Sequence, residues 1–311
     1  MRKTALCAAG IAAAVILSLT GCAADSATSS SSSAGSVVSV VASTDVWGSI
    51  AEAIGGNDVT VTSIIASSSQ DPHEYQATSR DQLAVNQAQL VISNGGGYDD
   101  FMDTMLSAAG SGSRTTINAV DVSGLQASAS AAGDSDFNEH IWYDFDAVKV
   151  VASDIADSLS SIDPADSATF ASNFQSFSDQ LDTLNAGVAK IAADHAGTGV
   201  AITEPVPLYL LDAAGLVNKT PSEFSEAIEA GTDVSPLVLS QVESLFTSKA
   251  VALLAYNSQT VTTQTEAVKS AASSAGVAVL GFTETLPDGV SDYISWMTDN
   301  VDNVQKALDN Q

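Results

Sequence analysis

The 311-residue chain contains only three histidines, and two of them follow predicted strands, where a metal site can form. His73 lies in "SQDPHEYQ", directly after Pro72, which restricts the loop that carries it. His140 lies in "FNEHIWYDF", whose apolar neighbours exclude water and strengthen coordination. Taken alone, His73 also fits an exposed turn and His140 a hydrogen-bonded core residue. His195 ends a predicted helix, where the helix C-terminus explains it, and we leave it out of the site.

Two carboxylates occupy comparable positions later in the chain. Glu204 follows "VAIT" and precedes Pro205, and Glu284 follows "VLGFT". A carboxylate beyond an apolar strand either caps a helix or binds a ligand, and the chain has 37 acidic residues. With the two histidines these glutamates form a nitrogen and oxygen ligand set without thiolate. Such a set suits Zn²⁺ with four ligands, or Mn²⁺ with additional carboxylate oxygens.

Strand and helix patterns alternate in both halves of the chain, which predicts parallel sheets covered by helices. The strands of the first half include "SVVSVVAST", "VTVTSII" and "LVIS", and those of the second half "GVAIT", "AVALLAY" and "VAVLGF". Between the halves, residues 145–195 are almost wholly helical in pattern, with a break at "SSIDPAD". The second helical piece, of about 30 residues, predicts a length of about 45 Å. In the second half, Thr220, Pro221 and Glu223 predict a capping box, and Gly231 the end of that helix.

The predicted fold is therefore α/β, with two parallel-sheet lobes joined by one long rigid helix. The boundaries that we expect are 37–160 for the N-terminal lobe, 161–196 for the connecting helix and 197–311 for the C-terminal lobe. In such folds ligands bind at the carboxyl ends of the strands. We therefore expect the metal site in the cleft between the lobes.

The N-terminus predicts export and a lipid anchor. Arg2 and Lys3 precede an apolar run of about 15 residues, which is shorter than the roughly 20 that span a bilayer. The following "LTGC" resembles the bacterial lipobox, so residues 1–21 are predicted to be a lipoprotein signal peptide and Cys22 the lipidated residue. Residues 22–36 are a Ser-rich flexible tether by composition. We expect the protein on the extracytoplasmic face of the bacterial cell membrane, without a disulfide.

The charge of the chain argues against nucleic acid as a partner. Residues 22–311 contain eight basic and 37 acidic residues, a formal charge of −29. Such a surface repels phosphates and anionic headgroups and attracts cations. We expect a monomer that binds a cation and does not bind nucleic acid.

Five stretches, taken in order, resemble the successive motifs of the zinc/manganese ABC transporter substrate-binding proteins. They are "DPHEYQ", "NGGGYDDFM", "NEHIWYD", "VAITEPVPLYLLDAAGL" and "ETLPDGVSDYISWMTDNVDNVQKAL", and the likeness covers about residues 37–311. The resemblance implies a lipoprotein receptor that captures a divalent metal between two lobes. It also implies delivery of that metal to an ABC permease driven by an ATPase.

By the same resemblance, the metal ligands are His73, His140, Glu204 and Glu284. The family usually has an aspartate where this chain has Glu284, so the number of oxygens that this residue provides stays open. Many zinc receptors of this family have a His-rich loop ahead of the second ligand, whereas the corresponding stretch here, "LQASASAAGDSDF", contains no histidine. Zn²⁺ and Mn²⁺ therefore both stay candidates for the transported ligand, with Fe²⁺ third. Since coordinating histidines must be neutral, we expect the affinity to fall below about pH 6.5.

Two other classes of protein fit part of this pattern. A secreted metallohydrolase could use two histidines and two glutamates, but catalytic zinc keeps an open position. No HExxH motif occurs, because Ala77 stands where its second histidine would be. We expect a binding protein and not an enzyme. A surface adhesin would also carry a tether and a lipid anchor, and measurement of bound metal separates it from a receptor.

Overall fold

The computed structural model describes residues 37–70, 72–73, 75–110, 112–132 and 137–310. The predicted signal peptide, Cys22 and the tether lie outside these ranges. The described residues form two four-stranded parallel sheets flanked by helices, which confirms the predicted α/β fold with two lobes.

The N-terminal lobe is built on a sheet with strand order β2-β1-β3-β4. Its strands are β1 (Val38–Thr44), β2 (Val59–Ile65), β3 (Leu90–Ser93) and β4 (Thr115–Asn118). Its helices are α1 (Asp45–Gly55), α2 (Ser79–Gln87), α3 (Asp100–Ala109), α4 (Ala119–Ser123) and α5 (Leu125–Ala132). The central strands β1 and β3 are almost wholly buried, as their continuous apolar sequences predict.

Two long helices follow the first sheet, and the second of them connects the lobes. The first, α6, spans Phe145–Ile162, and the second, α7, spans Ser167–His195. The 29 residues of α7 correspond to about 44 Å at 1.5 Å per residue. Along its length α7 contacts α1 and α6 of the first part of the chain and helices of the second lobe. The predicted long helix therefore spans both lobes.

The C-terminal lobe repeats the topology of the first, with strand order β6-β5-β7-β8. Its strands are β5 (Gly199–Ile202), β6 (Val217–Asn218), β7 (Leu253–Asn257) and β8 (Ala278–Phe282). Its helices are α8 (Leu208–Ala213), α9 (Ser222–Glu229), α10 (Pro236–Thr247), α11 (Thr263–Ser274) and α12 (Tyr293–Asp309). All pairings in both sheets are parallel, so the carboxyl ends of the strands in each sheet lie at one edge.

One buried apolar cluster runs through both lobes and includes Trp47, Trp142 and Tyr293. Hydrogen bonds also join the two lobes. Tyr293 Oη donates to the Trp142 carbonyl at 2.5 Å. Tyr143 Oη likewise donates to the Thr283 carbonyl at 2.7 Å. Buried bonds of this kind are costly to break without replacement. They join the turn that follows His140 to the second lobe next to Glu284.

The predicted capping box at Thr220 is wrong. Helix α9 begins at Ser222, and its N-cap Pro221 has no side chain that accepts a hydrogen bond. Thr220 Oγ1 instead accepts a hydrogen bond from the Ile202 amide at 2.9 Å and donates to the Ile202 carbonyl at 3.3 Å. The Thr220 hydroxyl is thus used by the backbone at the end of β5 and does not cap α9. The predicted helix end is correct, since α9 stops before Gly231, whose φ is +62°.

Among the described residues, no helix combines the length and the apolar character that crossing a membrane requires.

Candidate metal centre

One cavity of about 730 Å³ lies at the carboxyl ends of the strands of both sheets and contains all four predicted residues. Its lining residues are His73, Gly97, Glu139, His140, Glu204, Glu226, Ile228, Glu229, Ala230, Gly231, Thr260 and Glu284. The four predicted residues come from four different loops, which are separated by up to 211 positions in sequence. Their convergence in one cavity follows from the parallel topology, which directs the strand ends of each sheet to the cleft.

Glu204 and Glu284 stand just beyond strands, whereas the two histidines lie in longer loops. The expectation that His140 follows a strand is wrong, because the regular element before it among the described residues is α5. His73 lies in the loop between β2 and α2, and His140 directly precedes a 3₁₀ turn at Ile141–Tyr143. Glu204 is the second residue after β5, and Glu284 is the second residue after β8. Strand β5, which precedes Glu204, is paired in parallel with β6 and β7, and β8, which precedes Glu284, is paired with β7, so both glutamates follow strands that are held in a sheet.

The predicted residues differ in depth. His140, Glu204 and Glu284 are 1%, 5% and 7% exposed, whereas the side chain of His73 is 29% exposed. We name the three deep residues the inner group. His73 stands between the inner group and solvent.

The inner histidine is held by Asn138. His140 Nδ1 lies 2.7 Å from Asn138 Oδ1, and the His140 amide donates to the same oxygen at 3.1 Å. Because an amide oxygen only accepts, Nδ1 carries the proton and the Nε2 lone pair is available to a metal. Asn138 Nδ2 donates to the Pro205 carbonyl at 3.1 Å, which links this histidine to the loop of the other lobe. A carbonyl or amide partner of this kind orients histidine ligands.

Burial also fixes the charge of His140. Its ring packs at 5.1 Å from the Trp142 ring and at 5.9 Å from the Tyr98 ring. Burial, and to a smaller extent the charge of His73, lowers the pKa of His140 to about 3. His140 is therefore neutral across the physiological range. The expected loss of affinity below about pH 6.5 therefore stays a prediction, and it does not depend on protonation of His140.

The inner carboxylates are positioned by Asn257 at the end of β7. Asn257 Nδ2 donates to Glu284 Oε1 at 2.8 Å, and the Asn257 amide donates to Thr203 Oγ1 at 2.8 Å, next to Glu204. The Glu284 amide donates to Gln259 Oε1. Since Glu284 Oε1 accepts this hydrogen bond, the orientation of the carboxylate is fixed.

The structure adds two carboxylates that the sequence analysis did not single out, Glu139 and Glu229. His73 Nε2 lies 3.6 Å from Glu139 Oε1, and His140 Nδ1 lies 3.9 Å from Glu229 Oε1. One ligand atom from each of His73, Glu139 and Glu229 lies within 4.8 Å of the other two. Glu139 was within reach of the sequence, since it directly precedes His140. No feature of the sequence pointed to Glu229, because it is one of several glutamates in a helix with an exposed, polar pattern.

The environment of Glu229 is strongly anionic. Burial, followed by the charges of Glu139, Glu204, Glu284 and Glu226, raises the pKa of Glu229 to about 9. In the metal-free protein Glu229 therefore carries a proton at neutral pH, and a divalent cation would displace this proton. Burial also raises the pKa of Glu139.

The residues present fit a divalent transition metal. Two imidazoles and five carboxylates line the cavity, and among the described residues no lysine or arginine does so. Carboxylates that face each other without a cation repel, and a bound cation relieves that repulsion. Imidazole suits zinc, whereas a high share of carboxylate favours the harder manganese ion.

His195 lies away from this cavity, in agreement with its exclusion from the site. Its Nε2 is 3.0 Å from Asp309 Oδ1 on α12. It lines a separate pocket with residues such as Lys249 and Gly276.

Comparison with known proteins adds the family. The chain is 30% identical over 180 residues to the metal ABC transporter substrate-binding lipoprotein ScbA of Streptococcus cristatus, which is 55% of this chain and 57% of that protein. It is 27% identical over 159 residues to the manganese ABC transporter substrate-binding lipoprotein PsaA of Streptococcus mitis, which is 49% of this chain and 50% of that protein. The chain thus spans about half the length of the curated relatives that it matches.

The fold is also similar to solved structures. For the periplasmic zinc binding protein TroA from Treponema pallidum, the TM-score is 0.72 at 22% identity, covering 86% of this chain and 98% of that chain. The family model for zinc-uptake complex component A, periplasmic, matches residues 40–307 and so includes both lobes and every residue of the cavity. The chain is therefore a member of the zinc-uptake complex component A family.

Proposed function

We propose that this protein is an extracytoplasmic receptor that captures a divalent transition metal in the cleft and delivers it to an ABC permease for import. The observation that carries the proposal is the cavity itself, with two imidazoles and five carboxylates from both lobes and no described lysine or arginine. The names of the relatives, which are metal and manganese ABC transporter lipoproteins, support the same function.

The ligands in this proposal are His73, His140, Glu204 and Glu284. Four protein ligands from two lobes hold an ion by closing around it, which suits capture and release. Zn²⁺ and Mn²⁺ are the proposed cargo and Fe²⁺ is the third candidate, because the ligand set contains only nitrogen and oxygen. Glu284 accepts a hydrogen bond from Asn257 on Oε1, which favours binding of the metal through Oε2 alone.

The partners follow from the proposed role. The ion passes to a membrane permease powered by a cytoplasmic ATPase, and the receptor stays near it through lipid on Cys22. We further propose that the receptor acts as a monomer, with lobes that correspond to residues 37–160 and 197–311 around the connecting segment 161–196. The family consists of receptors, which agrees with a protein that binds its cargo without chemical change.

Metal analysis of the purified protein tests this function. We expect one Zn²⁺ or Mn²⁺ ion per chain, and competition between the two ions ranks their affinities. The matched variants are H140A, which removes a proposed ligand, and H195A, which removes a histidine outside the cavity. Absence of stoichiometric metal from the wild-type protein would contradict a receptor and favour the surface-adhesin alternative.

A further inference from the structure

The cavity contains a second set of metal-binding side chains next to the inner group. We name His73, Glu139 and Glu229 the outer group. One ligand atom of each lies within 4.8 Å of the other two. Ligand atoms around a metal lie about 2.0–2.2 Å from it, so a small contraction of this group brings all three into coordination distance.

The outer group lies on the path from solvent to the inner group. The side chains of His73, Glu229 and Glu139 are 29%, 23% and 13% exposed, whereas the inner group is almost fully buried. An ion that enters the cavity meets the outer group first. The two groups adjoin, since Glu229 Oε1 lies 3.9 Å from His140 Nδ1.

A buried oxygen of Glu229 also indicates a cation position. Its Oε1 is buried, and it accepts no hydrogen bond from the described residues. A buried carboxylate oxygen without a donor is costly unless a cation or another partner binds it. Glu229 is the last residue of α9, in the C-terminal lobe, and it faces two side chains of the N-terminal lobe.

We propose that the outer group is a second cation position, in which a divalent metal binds transiently before it moves to the inner group. This inference rests on the proposed function. His73 belongs to both positions, so one ion occupies them in turn. As the ion moves inward, its bonds to Glu139 and Glu229 break and bonds to the inner group form, with no change in oxidation state.

Rapid-mixing kinetics with Mn²⁺ alone and with Zn²⁺ alone tests this position. The variant is E229Q, and the matched control is E226Q, which makes the same substitution on the same helix and in the same cavity. We expect E229Q to slow metal association about tenfold, because glutamine cannot release a proton to the incoming ion and become an anionic ligand, as Glu229 does. Since the ion also leaves through the outer position, dissociation slows equally and the dissociation constant does not change.

E226Q should bind metal at the wild-type rate, and E139Q should behave as E229Q does. An association rate of E229Q equal to that of E226Q overturns the inference. So does a weaker dissociation constant at an unchanged association rate, because Glu229 would then belong to the final site. If the wild-type protein binds no metal, the proposed function fails and not only the outer position.

Discussion

Replacement of Glu229 by glutamine should stabilise the metal-free protein against unfolding, by an amount that grows with pH. Burial and the neighbouring carboxylates raise the pKa of Glu229 from 4.5 to about 9. The folded state therefore retains a proton that the unfolded state releases above pH 4.5. Because the folded state binds more protons, the free energy of unfolding falls as the pH rises from about 4.5 to about 9. Glutamine does not titrate, so the E229Q variant does not lose this stability as the pH rises.

The size of the effect follows from the same values. Each pKa unit corresponds to about 1.4 kcal/mol, which gives an upper limit of about 3 kcal/mol at pH 7. Solvent reaches part of the Glu229 side chain, which is 23% exposed, and reduces the cost. We therefore expect E229Q to be more stable than the wild type by about 2 kcal/mol at pH 7. Near pH 4.5 the two proteins should have equal stability.

Urea unfolding, followed by circular dichroism in the presence of a chelator, measures this difference. The measurements are made at about pH 5, 7 and 8.5, which span the ordinary and the raised pKa of Glu229. E226Q is the control, since it makes the same substitution one turn earlier in α9. The reasoning is refuted if E229Q is no more stable than the wild type at the two higher pH values. Equal stabilisation by E226Q refutes it as well.

Three further predictions concern the inner group. H140A should lose more than about 100-fold in metal affinity, since substitution of residues that only orient a ligand already costs about 10- to 100-fold; H195A should bind as the wild type does, and equal losses in both variants would contradict the ligand set. Because burial lowers the pKa of His140 to about 3, its ring signals in nuclear magnetic resonance spectra of the metal-free protein should stay constant from about pH 7.5 to about pH 5, and a midpoint near the ordinary histidine value would show that the ring is not desolvated. N257A, which removes the donor to Glu284 Oε1, should weaken metal binding about tenfold in equilibrium titrations, whereas an unchanged affinity would show that Glu284 needs no support.

Much of the fold was predictable because its signals are local. The apolar strands, the helical spacing of residues 145–195 and the Gly231 stop depend on neighbours in sequence, and the structure confirms them. Local sequence patterns predict less well where a residue distant in sequence takes the same hydrogen bond. Thr220 has the sequence of a helix cap, yet its hydroxyl bonds to the backbone of Ile202 in the adjacent strand.

The sequence alone determined which four residues to examine, through their positions after predicted strands and through the resemblance of their motifs to one family. Only the tertiary structure decided the rest of the cavity. Glu229 reaches the histidines because the C-terminal end of α9 lines the same cavity as the loops of the other lobe, and no sequence spacing encodes that approach. The depth of His140, which sets its pKa, likewise depends on rings brought together by folding. Electrostatic properties of the site are therefore decided by packing, since desolvation and the distances between charges exist only in the folded chain.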